Sequence, residues 1–147
     1  MSIARDQVAI YARVSAAENR PNLDSQAERL VAYCEARGYP VSQIVKEVGS
    51  GVNDSRPKLL KLLSDSQVGV IVVEHKDRLT RFGFRYIETL LALNGRRIEV
   101  VNLAENGRED LWSDLTAIIY SICARLYGPR RAKRQTEKIT QALNEHD

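Results

Sequence analysis

The first apolar run of the chain, VAIYARVS, ends on two polar residues, Arg13 and Ser15. Side chains alternate along a strand, so these two residues are expected to share one face. Later apolar runs lead into groups of the same kind, namely Ser50, which lies between two glycines, and Asp77, Arg78 and Arg81. Arginine binds phosphate oxygens and stabilises the charge of phosphoryl transfer, and neighbouring cations ease the ionisation of a serine. The residue types therefore indicate attack of a hydroxyl group on a phosphodiester.

Other hydrolytic chemistries lack their usual residues. The serine has no neighbouring histidine other than His75, and ARVSA does not match the G-x-S-x-G turn of serine hydrolases. The sequence also lacks clustered acids for a metal, a Walker phosphate loop and a G-x-G-x-x-G string. Taken singly, the candidates have ordinary structural roles, such as a helix-start ion pair between Asp77 and Arg81 or a turn around Ser50. Their combination favours a catalytic site.

The elements that must position these residues alternate along the chain. Strands are predicted at 8–14, 42–48, 68–74 and 97–105, and helices at 23–38, 58–66, 84–94 and from 111 onward. This β-α-β-α-β-α-β-α order predicts an α/β domain with a mainly parallel sheet flanked by helices and right-handed crossovers. In such sheets ligands bind beyond the carboxyl ends of the strands, which is where the candidate residues lie.

Three local details follow from the residues between these elements. HKDRLTRFG reads as a polar connection between the third strand and the helix that begins at about residue 84. Asp54 or Ser55 is expected to cap the second helix, ahead of Pro57 in its first turn. An interior proline costs a helix about 3 kcal/mol, so the long final helix is expected to break near Gly128, next to Pro129.

Length and composition restrict the class of protein. A chain of 147 residues with 44% hydrophobic residues fits one domain, 1–147, with a sizeable core. Cys34 and Cys123 have no partner at ligand spacing and are expected to be buried free thiols, as in a reducing cytoplasm. No signal peptide or membrane-spanning run is visible, so a cytoplasmic protein without a membrane partner is expected.

The final helical region, 111–143, combines an apolar stripe with a basic run. The net charge of the chain is +3, but residues 125–138 carry +5 (six cations and Glu137) and the rest carries −2. Such a patch favours contact with a polyanion, and the alternative is a solvated helix end. The apolar stripe comprises Leu115, Ile118, Ile119, Ile122 and Leu126.

Several strings of the sequence are familiar in combination. YARVS, NLDSQAERL, SGVNDSRPKLLKLL and KDRLTRFG, in this order, resemble the catalytic domain of the serine recombinases, the resolvase/invertase family. RLYGPRRAKRQTEK resembles the end of that domain in insertion-sequence transposases whose DNA-binding domain is N-terminal. The resemblance implies a resolvase-like three-layer fold and a site-specific recombinase or transposase. No helix-turn-helix for reading DNA is visible in the sequence.

The resemblance also implies roles for individual residues. Ser15 would attack a DNA phosphate and form a 5′-phosphoserine link, and strand exchange and rejoining would follow. Arg13, Arg78 and Arg81 would bind the scissile phosphate, and Asp77 would orient these arginines. The positions that would line or support the site are Gln26, Ser50 and Arg56.

The same resemblance implies partners. Double-stranded DNA would contact the basic run, whose residues are Arg130, Arg131, Lys133, Arg134 and Lys138. The apolar stripe would form a subunit interface, with a homodimer at rest and a tetramer when active; packing onto its own sheet is the alternative. No metal, cofactor or small-molecule substrate is expected. Two other functions stay open, a non-catalytic oligomerisation or regulatory module and a phosphatase or nuclease using the same pocket.

Overall fold

Four parallel strands form the centre of the first of two structural units. The structure, a computed structural model, describes residues 7–102 and 108–145, and the chain divides into units Met1–Glu105 and Asn106–Asp147. The strands are β1 (Gln7–Val14), β2 (Val41–Val48), β3 (Val68–Val73) and β4 (Arg97–Val100). They lie in the order β2-β1-β3-β4, and each neighbouring pair is parallel. The predicted α/β class with a parallel sheet is confirmed; residues 103–105 of the last predicted strand lie outside the described residues.

The helices of this unit connect the strands. They are α1 (Arg20–Ala36), α2 (Pro57–Leu63), α3 (Lys76–Leu79) and α4 (Phe84–Ala92). Helix α1 begins three residues before the predicted start at 23, because Pro21 occupies its first turn. Helix α3 lies in the segment predicted to be a polar connection. It has only four residues, too few for a helical pattern to be recognised.

Apolar side chains cover both faces of the sheet, as the three-layer prediction requires. On one face, Ile10 and Val72 pack with Leu30 and Cys34 of α1. On the other face, the core comprises Ala9, Tyr11, Leu59, Leu62, Val68, Ile71, Val73, Leu79, Leu91 and Ile98. The period-two alternation of β1 therefore divides the strand between two cores, and its odd-numbered residues face α2 and α4.

The amino end of α2 is capped by a residue from a neighbouring strand. Glu47 of β2 is buried, and its carboxylate accepts hydrogen bonds from the Lys58 amide (2.8 Å) and the Leu59 amide (3.0 Å). The prediction that Asp54 or Ser55 caps this helix is wrong, because the N-cap position is Arg56 and no side chain there caps it. A carboxylate at this end also complements the helix dipole.

The outer strand β4 is tied to the end of α1 by a polar network. The Glu99 carboxylate accepts hydrogen bonds from the Tyr33 hydroxyl, the Tyr39 hydroxyl (2.7 Å) and Arg97 Nη1 (2.8 Å). Burial raises the pKa of the Glu99 carboxyl, but these hydrogen bonds outweigh it and hold the pKa below its ordinary value. Arg37 stacks over both tyrosine rings, 5.5 and 5.7 Å from their centroids.

The second unit contains two helices, α5 (Arg108–Tyr127) and α6 (Pro129–Glu145). They are separated at Gly128, whose φ of +83° is accessible to glycine without strain. Its amide donates to the Ala124 carbonyl (3.0 Å) and so closes α5, while Pro129 begins α6. The predicted break near Pro129 is confirmed. Within residues 7–102 and 108–145, no helix combines the length and hydrophobicity that crossing a bilayer requires.

Candidate active site

The site forms where β1 ends, beyond the sheet's carboxyl edge. Tyr11, Arg13 and Ser15 follow one another at period two and share the face that Ala9 begins. Tyr11 and Arg13 are fully buried, whereas Ser15 is half-buried at the point where the chain leaves the strand. The strand thus carries a guanidinium group beneath a hydroxyl group that lies near the surface.

Arg13 connects three segments of the chain through its guanidinium group. Its Nε donates to the Arg78 carbonyl (3.0 Å) and its Nη2 to the Asp77 carbonyl (2.6 Å). Its Nη1 donates to the Gly49 carbonyl (3.0 Å) and to Ser15 Oγ (3.1 Å). Arg13 is therefore oriented by backbone carbonyls of the segments after β2 and β3, and it directs one N–H at the serine hydroxyl.

The backbone of Arg13 is held as firmly as its side chain. Its amide donates to Gln26 Oε1 and its carbonyl accepts from Gln26 Nε2, both at 3.1 Å. The same carbonyl accepts a hydrogen bond from Arg78 Nη1 at 3.1 Å. Gln26 and Arg78 are both buried, so these contacts are shielded from water. Gln26 of α1 and Arg78 of α3, on two different helices, therefore both hold the end of β1 in place.

Asp77 is exposed at the edge of the site, and it pairs with the half-buried Arg81. Arg81 Nη1 lies 2.8 Å from Asp77 Oδ2, which is an i, i+4 ion pair. The Arg81 amide donates to the Gly51 carbonyl at 2.9 Å, so the loop after β2 contacts the residues that follow α3. Within that loop, Ser50 Oγ accepts a hydrogen bond from the Val52 amide (3.2 Å), a turn-type contact.

A buried polar cluster lies behind the Gly49 carbonyl. The Tyr11 hydroxyl donates to Glu47 Oε1 (2.8 Å) and accepts from Arg56 Nη1 (3.0 Å). Burial, together with the hydrogen bond to Glu47, raises the Tyr11 pKa well above its ordinary value, although Arg56 opposes this. A Cβ atom on Gly49 would lie 3.2 Å from Arg56 Cγ, so the glycine lets the arginine chain pass close to the backbone.

Comparison with known proteins shows the family of this chain. The sequence matches the resolvase family, by its N-terminal domain, over residues 8–146. The chain belongs to the resolvase family. The structure is similar to that of the C-terminal catalytic domain of ISC1926 TnpA, an IS607-like serine recombinase, with a TM-score of 0.82 and 36% identity over 94% of this chain and 99% of the other. The corresponding domain of IS1535 TnpA, also IS607-like, gives a TM-score of 0.81 and 41% identity over 93% and 97% of the two chains.

The curated relatives of this resolvase-family chain are longer proteins. An uncharacterized protein of Mycobacterium tuberculosis is 40% identical over 136 residues, which cover 92% of this chain and 46% of the relative. The chain thus spans about half the length of the curated relatives it matches. The resemblance to serine recombinase catalytic domains of the insertion-sequence transposase group is confirmed by the structures matched above.

The structure brings together most of the residues predicted from the sequence of this resolvase-family domain. Arg13, Ser15, Gln26, Asp77 and Arg78 are joined directly by hydrogen bonds, and Arg81 is joined through Asp77. Ser50 lies next to this group because its neighbours Gly49 and Gly51 accept hydrogen bonds from Arg13 and Arg81. Arg56 is bonded to the hydroxyl of Tyr11, which precedes Arg13 on β1. The described contacts of the Arg13 guanidinium group are with protein acceptors, and its contact with the scissile phosphate stays a prediction.

Sequence reasoning missed Glu47 and the role of the Gly49 carbonyl. Glu47 lies opposite Arg13 in the parallel register of β1 and β2. An acidic residue near the end of a strand is a weak signal for such a position. The sequence does not show that β2 lies beside β1, so the position of Glu47 next to Arg13 could not be predicted from it.

The second unit carries the predicted basic and apolar residues. The basic residues Arg130, Arg131, Lys133, Arg134 and Lys138 are all exposed on α6, whereas Ala132 and Thr136 on the same helix are buried. In the apolar stripe of α5, Ile122 and Leu126 are 52% and 69% exposed, and Leu115, Ile118 and Ile119 are half-buried. In this single chain the stripe is thus partly open to solvent.

Proposed function

We propose that this chain is the catalytic domain of a site-specific DNA recombinase or transposase with a serine nucleophile. The observation that carries the proposal is the 3.1 Å hydrogen bond from Arg13 Nη1 to Ser15 Oγ, at the carboxyl edge of a parallel sheet. Family membership and the likeness to IS607-like serine recombinase domains support the same activity.

The reaction begins with attack of Ser15 Oγ on a phosphorus atom of the DNA backbone. An O–P bond forms to the serine, and the bond from phosphorus to the 3′ oxygen breaks. The serine loses its proton and the departing oxygen gains one, which leaves a 5′-phosphoserine ester and a free 3′-hydroxyl group. Attack by the 3′-hydroxyl of an exchanged strand reverses these steps and releases the serine. The serine ester conserves the energy of the broken phosphodiester bond, so rejoining needs no nucleotide.

Arg13 acts on the nucleophile in this proposal. Its buried positive charge stabilises the negative charge that develops on Ser15 Oγ during attack. The carbonyls bound to the guanidinium group keep its N–H oriented towards the serine before the reaction. Arg78 and Arg81 stabilise the phosphate, a role that Mg²⁺ takes in many phosphoryl transferases. Asp77 orients Arg81, and Gln26, Ser50 and Arg56 support the loop and strand that carry the site. The proposed cleavage is independent of metal ions.

DNA and further subunits are the proposed partners. The exposed cations of α6 would contact DNA phosphates, and such contacts are independent of sequence and weakened by salt. The exposed part of the α5 stripe would be covered by another subunit, in a homodimer at rest and a tetramer during exchange.

The test is covalent capture of DNA by Ser15. The protein is incubated with a pool of nicked suicide duplexes, with and without a chelator, and adducts are resolved on a denaturing gel. Mass spectrometry should find a phosphate ester on the peptide containing Ser15, and Ser15→Ala should abolish the adduct while circular dichroism stays unchanged. An undiminished adduct in Ser15→Ala would refute the assignment. Cleavage without any adduct would instead favour a nuclease, and loss of the adduct on chelation would refute metal independence.

A further inference from the structure

A buried acidic residue directly follows β3, and none of the steps proposed above uses it. Glu74 is fully buried, with a relative side-chain exposure of 0%. Arg29 of α1 donates Nε to Glu74 Oε2 (2.7 Å) and Nη2 to Glu74 Oε1 (3.0 Å). This is the two-point geometry in which a guanidinium group fixes both the position and the plane of a carboxylate.

The backbone of Glu74 is fixed as well. Its carbonyl accepts a hydrogen bond of 2.7 Å from the amide of Asn102, a residue with a φ of +61°. His75 and α3 follow Glu74 immediately, and the Asp77 and Arg78 carbonyls of α3 are two of the acceptors that orient Arg13. Glu74 therefore lies just before the segment whose carbonyls orient Arg13.

Helix α1 contacts both halves of the site through one face. Gln26 and Arg29 are three residues apart, so they are neighbours on the helix surface. Gln26 clamps the Arg13 backbone at the end of β1, and Arg29 clamps Glu74 just after β3. One face of the helix therefore contacts both the strand that leads to Ser15 and the segment that orients Arg13.

We infer that Arg29 and Glu74 form a positioning pair that holds α3, and through it Arg13, in register with Ser15. The inference rests on the proposed function, and it assigns to neither residue a contact with DNA. Burial of the Glu74 carboxylate costs hydration, and this cost offsets much of its attraction to the partly exposed Arg29, so a gain in stability does not by itself explain the pair. The directional two-point contact is what an apolar pair would not supply, and it serves orientation.

The experiment compares Glu74→Gln and Arg29→Lys with a matched control, Arg96→Lys. Arg29→Lys keeps the charge of a partly exposed residue (39%) but removes the fork. Arg96 is another buried arginine that donates to carbonyls, those of Val68, Leu63 and Leu62, and it lies outside the site. Adduct formation on the nicked duplexes is one measurement. Hydrogen exchange of the Arg13 Nε–H group, followed by ¹H–¹⁵N NMR on the full chain without DNA, is the other.

Both site variants should slow adduct formation by about 100-fold, the effect of a small misplacement of reacting groups. They should also accelerate exchange at Arg13 Nε, while Arg96→Lys lowers the urea midpoint and leaves both measurements unchanged. Wild-type adduct rates and exchange in the folded site variants would overturn the inference. So would equal acceleration of exchange in Arg96→Lys, because general destabilisation would then explain it. If the wild-type chain forms no adduct, the proposed function fails, and the exchange measurement by itself decides the positioning role.

Discussion

Replacing Arg13 with lysine tests whether a fixed guanidinium group activates the serine. The arginine reaches the Gly49, Asp77 and Arg78 carbonyls and the Ser15 hydroxyl from three different nitrogen atoms. A lysine carries the same charge but presents all its donors from one atom. A single ammonium nitrogen therefore cannot reach all the acceptors that surround the edge of the planar guanidinium group.

The expected cost can be worked from these contacts. If lysine keeps two of the four described hydrogen bonds, two buried acceptors lose a charged donor. At about 1–2 kcal/mol for each, the free energy of unfolding should fall by about 2–4 kcal/mol. A domain of ordinary stability, about 5–15 kcal/mol, remains folded after such a loss. Loss of the oriented donor to Ser15 should slow adduct formation by about 100-fold, as for the removal of one oxyanion donor.

Arg96→Lys is the control, because Arg96 is likewise buried and donates to the carbonyls of Val68, Leu63 and Leu62. Urea unfolding followed by circular dichroism should show similar losses of stability in the two variants. Adduct formation on nicked duplexes should fall only in Arg13→Lys. Equal adduct rates in the two folded variants would refute the role assigned to Arg13.

Three further predictions concern other parts of the chain. Gly49→Ala places a Cβ atom 3.2 Å from Cγ of the buried Arg56, and we expect this overpacking to lower the free energy of unfolding by about 1–2 kcal/mol; an unchanged urea midpoint would show that Arg56 moves aside. The lowered pKa of Glu99 means that its contribution to stability is present above the unfolded-state pKa of about 4.3 and is lost as the pH falls through the folded-state pKa. Glu99→Gln should therefore reduce the difference between urea midpoints measured at about pH 7 and about pH 3, and a difference equal to that of the wild type would count against this reasoning. Arg131→Gln on α6 should make the negative slope of log affinity for duplex DNA against log salt shallower by about 0.9, because one phosphate contact is lost. Replacing Lys61, an exposed cation on α2, by glutamine should leave this slope unchanged. Equal slopes in the two variants would remove α6 from the DNA-binding surface.

Local patterns determined much of the fold. The period-two alternation at the end of β1 predicted that Arg13 and Ser15 lie close together, and a hydrogen bond joins their side chains. The apolar run that forms β3 predicted a strand covered on both sides. Pro129 predicted the division of the last helix, because a ring without an amide hydrogen suits a first turn and not an interior. Helix α3 was missed because four residues carry too little periodicity.

The sequence by itself determined the order of the strands and of the longer helices, the face on which each β1 side chain lies and the set of residue types at the site. Only the tertiary structure decided what those side chains contact. Backbone carbonyls orient Arg13, and a carbonyl carries no sequence signature because every residue has one. The Glu74 carboxylate meets Arg29 only because a crossover brings segments distant in sequence side by side. Such pairings depend on strand order and register, which local propensity does not encode.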